Sequence, residues 1–363
     1  MKKEKIKLIA WHLPQYHCIP ENDEWWGKGF TEWTNVKRAV PLFDGHLQPR
    51  VPLDKYYYNL LDKRTLEWQA MLTRKYGVYG LCFYHYWFNG KLLLEKPVEQ
   101  LLNYKEIDIN FCFSWANEPW SRSWRGNTKD IIMPQEYGDQ VEWKAHFKYL
   151  LPFFRDSRYI KEDGKPILLI YRTESIPKCD KMIKYWNKLA IDEGLPGIYI
   201  VETLNYMQNK TCCAESKAIV YMEPTLKEKR TLRWGIKRIG YKIKRGFFKA
   251  CGIKCPIIEN YDKVWKKIIN RKYPKVEKKI FLGAFVGWDD SPRKQYRSRV
   301  IRGGTPEKFG YYLEKQILKA KQMRSSYIFI NAWNEWAEGT YLEPDELFKY
   351  GYLEQIKKIT SKL

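Results

Sequence analysis

Residues 327–345 read Y-I-F-I-N-A-W-N-E-W-A-E-G-T-Y-L-E-P-D. The first five form a strand-length apolar run. The polar, aromatic stretch after it carries Glu335 and Glu338 three residues apart. A buried strand that empties into an acidic loop is the repeating unit of parallel sheets covered on both faces. Seven more runs of the same kind precede it: Ile6–Leu13, Val78–Tyr86, Ile109–Ala116, Ile167–Tyr171, Ile198–Glu202, Ala218–Met222 and Ile280–Gly287. Helical periodicity appears at Lys63–Tyr76, Leu94–Tyr104, Gln140–Phe154, Lys181–Glu193, Pro306–Arg324 and Leu347–Ser361. Eight strands alternating with helices predict an α/β chain folded as a single (β/α)8 barrel spanning 1–363, with long βα loops. A doubly wound open sheet is the rival, but it would gather its polar residues at one switch point.

Here they follow nearly every strand. Trp11, His12 and Tyr16 follow the first, and His85, Tyr86 and Trp87 the second. Trp115, Asn117, Glu118, Trp120 and Trp124 follow the third, Glu202 and Glu223 the fifth and sixth, Trp288 and Asp289 the seventh, and Asn334 through Glu338, with Trp336, the eighth. A barrel brings all of these to one mouth. The loop Cys18–Pro52, with Trp26 and Trp33 in E-W-W-G-K-G-F-T-E-W-T-N (24–35), is too long for a plain connection and reads as a lid or subsite wall. Two carboxylates among Trp faces suit proton transfer at a sugar, Glu335 and Glu338 as the catalytic pair and the others as substrate-binding residues. One of the pair needs a raised pKa, from burial or from its neighbour's charge.

Composition narrows the partners. Sixteen Trp and 27 Tyr in 363 residues favour a ring-binding groove. The net charge of +23 is local: residues 227–279 hold 19 Lys/Arg against 4 Asp/Glu, which leaves +8 for the other 310 residues. Nucleic acid is therefore not expected as a partner, because the basic segment and the aromatic cluster lie apart. Eight cysteines without C-x-x-C spacing or paired histidines give no metal site, and no cofactor is expected. The short apolar run at the N-terminus reads as a first strand rather than a signal peptide, and no stretch reaches membrane-span length; a cytoplasmic protein is expected. Within a basic insert at 224–279, Leu232, Ile236, Ile239, Ile243 and Phe247 recur at helical spacing between lysines and arginines. Such a stripe over 227–254 would suit peripheral contact with an anionic inner-membrane surface, or packing on the barrel with a solvated basic face.

W-H-L-P-Q-Y-H (11–17), E-N-D-E-W-W-G-K-G-F-T-E-W-T-N-V (21–36), Y-H-Y-W-F-N-G (84–90), F-S-W-A-N-E-P-W (113–120) and N-A-W-N-E-W-A-E-G (331–339) together resemble the WbsX-type family, related to glycoside hydrolase family 99. The likeness runs from about Lys7 to Tyr352. It implies a (β/α)8 barrel acting on glycosidic bonds in bacterial O-antigen or capsule synthesis, with an oligosaccharide or lipid-linked glycan as substrate. It also implies a retaining mechanism through a 1,2-anhydro sugar. Glu335 would be the base on the 2-hydroxyl, and Glu338 the acid at the departing oxygen and then the base on the incoming nucleophile. The hydrolases carry His where Ala337 stands, which argues against transferring their hydrolysis and mannoside preference to this chain. Absence of any D-x-D motif or Gly-rich phosphate loop argues against a metal-dependent nucleotide-sugar transferase. A glycan-binding protein without turnover is the remaining alternative.

Overall fold

The computed structural model describes residues 5–121, 130–225 and 256–362. Each of the eight apolar runs is a strand: β1 (Lys7–His12), β2 (Gly80–Phe88), β3 (Asn110–Trp115), β4 (Lys165–Ile170), β5 (Tyr199–Leu204), β6 (Ala218–Tyr221), β7 (Lys279–Phe285) and β8 (Tyr327–Asn331). They pair in parallel in the order β1-β8-β7-β6-β5-β4-β3-β2, and β1 pairs with β2 to close a barrel. In β1, Ala10 faces Ile330 of β8 on one side and Leu81 of β2 on the other. All nine residues of β2 are buried, as a sheet covered on both faces requires.

Helices α1 (Pro20–Trp26) and α2 (Glu32–Lys37) lie within the long first loop. The outer layer is α3 (Lys63–Tyr76), α4 (Lys96–Asn103), α5 (Gln140–Arg155), α6 (Cys179–Asp192), α7 (Tyr261–Ile269), α8 (Pro306–Gln322) and α9 (Gly351–Thr360). The bounds of α3 match the sequence pattern because local chemistry sets both ends. Asp62 accepts the Arg64 N–H at the N-cap, and Gly77 closes the C-terminus in the left-handed region. In contrast, α9 starts at Gly351 rather than at Leu347. Asp345 accepts the Phe348 N–H and Lys349 has φ +49°, so this stretch turns before it can wind.

The connection 205–217 between β5 and β6 contains no helix. In the described part of the 224–279 segment, α7 is built into the barrel wall. Its Trp265 stacks on Phe285 of β7 (4.9 Å) and on Tyr312 of α8 (5.4 Å). The apolar stripe at 232–247 lies outside the described residues, as does Trp124. No described helix is long and apolar enough to cross a membrane.

Candidate active site

The chain after β8 does not run into a helix. Asn334 and Glu335 pair antiparallel with Tyr341 and Thr340, and Trp336–Glu338 forms a single 3-10 turn between them. Side chains three residues apart eclipse in that geometry, so both carboxylates still leave on one side. Gly339 closes the turn at φ +60°, where a Cβ would come within 2.7 Å of Asp289 Cβ; only glycine meets both demands.

Asn334 anchors the turn to the end of β1. Its Oδ1 accepts the Leu13 N–H (2.7 Å) and its Nδ2 donates to the Leu13 carbonyl (3.0 Å). Trp336 stacks on Tyr341 with ring centres 3.8 Å apart, and its indole donates to Glu343 (2.7 Å). Glu343 also accepts from Tyr58 Oη and Gln69 Nε2; burial pushes its carboxyl up to about 7.

Arg293 gathers the acids. It lies in a helical turn, Ser291–Lys294, in the loop after β7. Its Nη1 donates to Glu338 (2.6 Å), its Nη2 to Glu335 (3.3 Å) and its Nε to Glu32 of α2 (2.9 Å). One cation thus serves three carboxylates, and only 8% of its side chain is exposed. Burial first, then the charge of Glu338, pushes the Glu335 carboxyl up to about 8. Burial also raises Glu338, opposed by Arg293 and Lys294. The pair therefore retains a proton near neutrality. Glu338 is the more open of the two, with 22% of its side chain exposed against 7% for Glu335.

Tyrosines enclose this cluster. Burial, then the charge of Glu335, raises the hydroxyls of Tyr84 and Tyr86, with Glu338 a smaller contributor to each. In Tyr171, after burial, the charge of Glu118 comes ahead of that pair. Burial, then Glu118 and Glu338, pushes Tyr206 up to about 12. Glu118 itself is raised by burial and faces Arg172 at 3.4 Å. Tyr206 is exposed, whereas Tyr171, Glu118, Trp26 and Trp120 are half-buried.

Several residues expected to bind substrate are placed in the core instead. Trp11 packs on Phe329 with no exposed surface. Trp33 donates to the Tyr58 carbonyl and leans on Trp336. Trp87 stacks on His146 at 4.5 Å and donates to Glu142, and Trp115 donates to the Trp87 carbonyl. Their ring faces are spent on protein, so they shape the bowl from behind, as Trp336 does. His85 meets His146 Nε2 at 2.8 Å, and His12 meets Gln69; burial lowers both rings to about 3. Tyr16 donates to the Asn334 carbonyl, supporting the turn.

Asn117 clasps Arg172 through two hydrogen bonds and so joins the loops after β3 and β4. Glu202 is bound by Lys278 (2.8 Å), Thr173, Ser216 and the Cys212 N–H. Glu223 is paired with Arg271. Trp288 is 8% exposed and lies beside Asp289 rather than among the tyrosines. Conversely, nothing in the sequence singles out Arg293, Tyr171 or Tyr206, and Glu32 reads there only as part of the lid. Arg293 sits in W-D-D-S-P-R-K-Q-Y (288–296) without a distinguishing spacing.

The sequence profile described as "Glycosyltransferase WbsX" matches residues 8–356. The chain belongs to this family. Two curated relatives align with nearly the whole chain. Both are named "Uncharacterized protein WxcX", from Xanthomonas campestris pv. campestris strains B100 and ATCC 33913. Each is 31% identical over 362 residues, covering 98% of this chain and 50% of the relative. The chain thus spans about half the length of the curated relatives it matches. Among solved structures, the GH99 endo-alpha-mannosidase from Bacteroides thetaiotaomicron superposes with a TM-score of 0.57 at 14% identity, covering 99% of this chain and 98% of that one. A chain titled "Glycoside hydrolase-like protein" gives 0.59 at 11% identity, covering 98% and 94%. At these identities the likeness is one of fold, the (β/α)8 barrel of the WbsX chain.

Proposed function

We propose that this WbsX-family chain transfers a glycosyl group from an oligosaccharide or lipid-linked donor to a sugar hydroxyl, in assembly of O-antigen or capsular polysaccharide, with Glu335 and Glu338 as its acid/base pair. The observation that carries the reading is Arg293, whose two terminal nitrogens hold both carboxylates at one tyrosine-lined mouth. In the first step Glu335 takes the proton of the donor's 2-hydroxyl and O2 bonds to C1. The C1–oxygen bond to the leaving group breaks, and Glu338 protonates the departing oxygen. In the second step Glu338 takes the acceptor's proton and the acceptor oxygen bonds to C1. The C1–O2 bond opens and Glu335 returns its proton to O2. Two inversions give net retention, and every proton is restored.

Without substrate, the short Arg293 contact favours ionised Glu338 and leaves the shared proton on Glu335, the reverse of the state that step one begins from. A 2-hydroxyl donating to Glu335 favours its ionised form and moves the proton across. Mass spectrometry of the chain incubated with lipid-linked and free oligosaccharides tests the proposal. Extended product that disappears in Glu335→Gln and Glu338→Gln supports it. Cleavage by water alone makes the chain a retaining endo-glycosidase, and glycan affinity unchanged in both variants with no turnover makes it a binding protein.

A lipid-linked donor would place the enzyme at a membrane, and the basic segment 227–254 is our proposed contact. Deleting it should abolish sedimentation with anionic vesicles; unchanged sedimentation would remove the membrane from the account.

A further inference from the structure

Behind the turn that carries Glu338 lies a cavity of about 240 Å³ that has no part in the reaction above. Its walls come from the loops after β7 and β8 and from residues 43–50. Arg50 lines it and makes no hydrogen bond or ion pair among the described residues; its Nε is buried without a partner. Trp288 lines it too, 8% exposed, and its indole Nε1 is likewise buried and unpartnered.

Asp289 and Asp345 are close enough to favour the Arg50 cation. Neither accepts its N–H groups; each is held by other donors. Asp289 takes His46 Nε2 (2.8 Å), Gln48 Nε2 (2.7 Å) and the Ser291 N–H (3.1 Å). Asp345 takes Tyr341 Oη (2.7 Å) and the Phe348 N–H (2.5 Å). Arg50 Nε and Trp288 Nε1, both buried, are thus left wanting an acceptor, which is unfavourable for each.

The surroundings are mixed in sign: the Asp289 and Asp345 carboxylates also line the cavity, against the cations of Arg50 and Arg302. Arg302 borders the cavity, its guanidinium 5.5 Å from the Phe43 ring centre. Gly303 and Gly304 line it just before the N-terminus of the 17-residue helix α8, whose dipole favours an anion. The loops after the seventh and eighth strands are where barrels of this kind often hold phosphate.

We propose that this cavity is an oxyanion site, taking the phosphate or the carboxylate of a sugar-bearing ligand on Arg50 and Trp288. Its volume is below the roughly 300–1,000 Å³ of sites that enclose drug-sized ligands, so it holds an anionic group rather than a whole oligosaccharide. Gly339, next to Glu338, forms part of its wall, so occupancy bears on the turn that positions the acid.

Isothermal titration of the whole chain with inorganic phosphate, glucuronate and neutral glucose tests this without reference to turnover. Binding of phosphate, of glucuronate or of both, with glucose silent, supports the site and tells which source of oxyanion it prefers. Arg50→Gln should abolish that binding. Trp288→Phe, which keeps an aromatic side chain but loses the N–H together with the pyrrole half of the indole, should weaken it at least about fivefold, the value of one net hydrogen bond, and decides the matter should Arg50→Gln fail to fold. Absence of binding by either anion at millimolar concentration, equal binding of glucose, or unchanged binding in Trp288→Phe overturns the assignment. Glu335→Gln run in parallel should bind as the parent does, which separates this site from the proposed reaction.

Discussion

Glu202 in β5 and Glu335 after β8 are the same residue type at the carboxyl ends of strands in one barrel, yet their surroundings are opposite. Glu202 is surrounded by donors of its own. Burial opposes its charge, but Lys278, the Cys212 N–H, Ser216 and Thr173 outweigh that and hold the carboxyl below its usual range. Glu335 shares a single guanidinium with Glu338 and Glu32, and its carboxyl is pushed up to about 8. The first arrangement completes a structure. The second leaves negative charge in excess and a proton to move, the condition an acid/base pair needs.

Substitution of the two kinds of carboxylate should separate them most sharply. Glu335→Gln or Glu338→Gln should lower glycosyl transfer about 10²–10⁴-fold, the range of general acid/base catalysis, with no loss of thermal stability. For Glu202→Ala the expectation is reversed: about 3 kcal/mol of unfolding free energy is lost, because Lys278 loses its counter-charge, as a shift in urea midpoint would show. Arg293→Lys should reduce turnover about tenfold, since an ammonium cannot span three carboxylates as the planar fork does. A Lys variant with full activity would mean that the shared cation is incidental.

The smallest effects are those of pH on stability, and they run in opposite directions. Glu335 binds its proton more tightly folded than unfolded, so its contribution falls as pH rises from the ordinary 4.5 towards about 8. Glu335→Gln should therefore melt above the parent at pH 9, with the gap closing by pH 5. Glu202 is shifted the other way, so its contribution is present above the ordinary carboxylate range and is lost as pH falls through its lowered value. The deficit of Glu202→Gln should be full at pH 7 and shrink in acid. Parallel melting curves for the two variants would erase the distinction.

From the sequence Glu335 reads as catalytic and Glu202 as substrate-binding, each from its own strand end, and neither reading reaches the distant partners that set its charge. Lys278 is 76 residues from Glu202, and Arg293 is 261 from Glu32. No local pattern marks such pairs. The buried tryptophans are hard to place from sequence for a related reason: a Trp at a strand end fits either the bowl or the packing behind it, and the rings adjoining Trp33 and Trp87 come from distant segments. Trp120 and Trp26, half-buried, have sequence contexts no different from those of the buried ones.

What the chain determines locally is nearly all of the barrel. Apolar runs of strand length, helical periodicity and end caps such as Asp62 and Gly77 act over a few residues, and those interactions survive into the fold unchanged. The N-A-W-N-E-W-A-E-G turn belongs to the same class, since its carboxylates are brought to one side by three residues of backbone. Closure of β1 against β2 and β8 decides the rest, because charge and burial depend on which groups share a volume from which water is excluded. Only there do Glu32, Arg293, Glu335 and Glu338 become one electrostatic unit, and only there are Arg50 and Trp288 left facing a cavity with donors to spare.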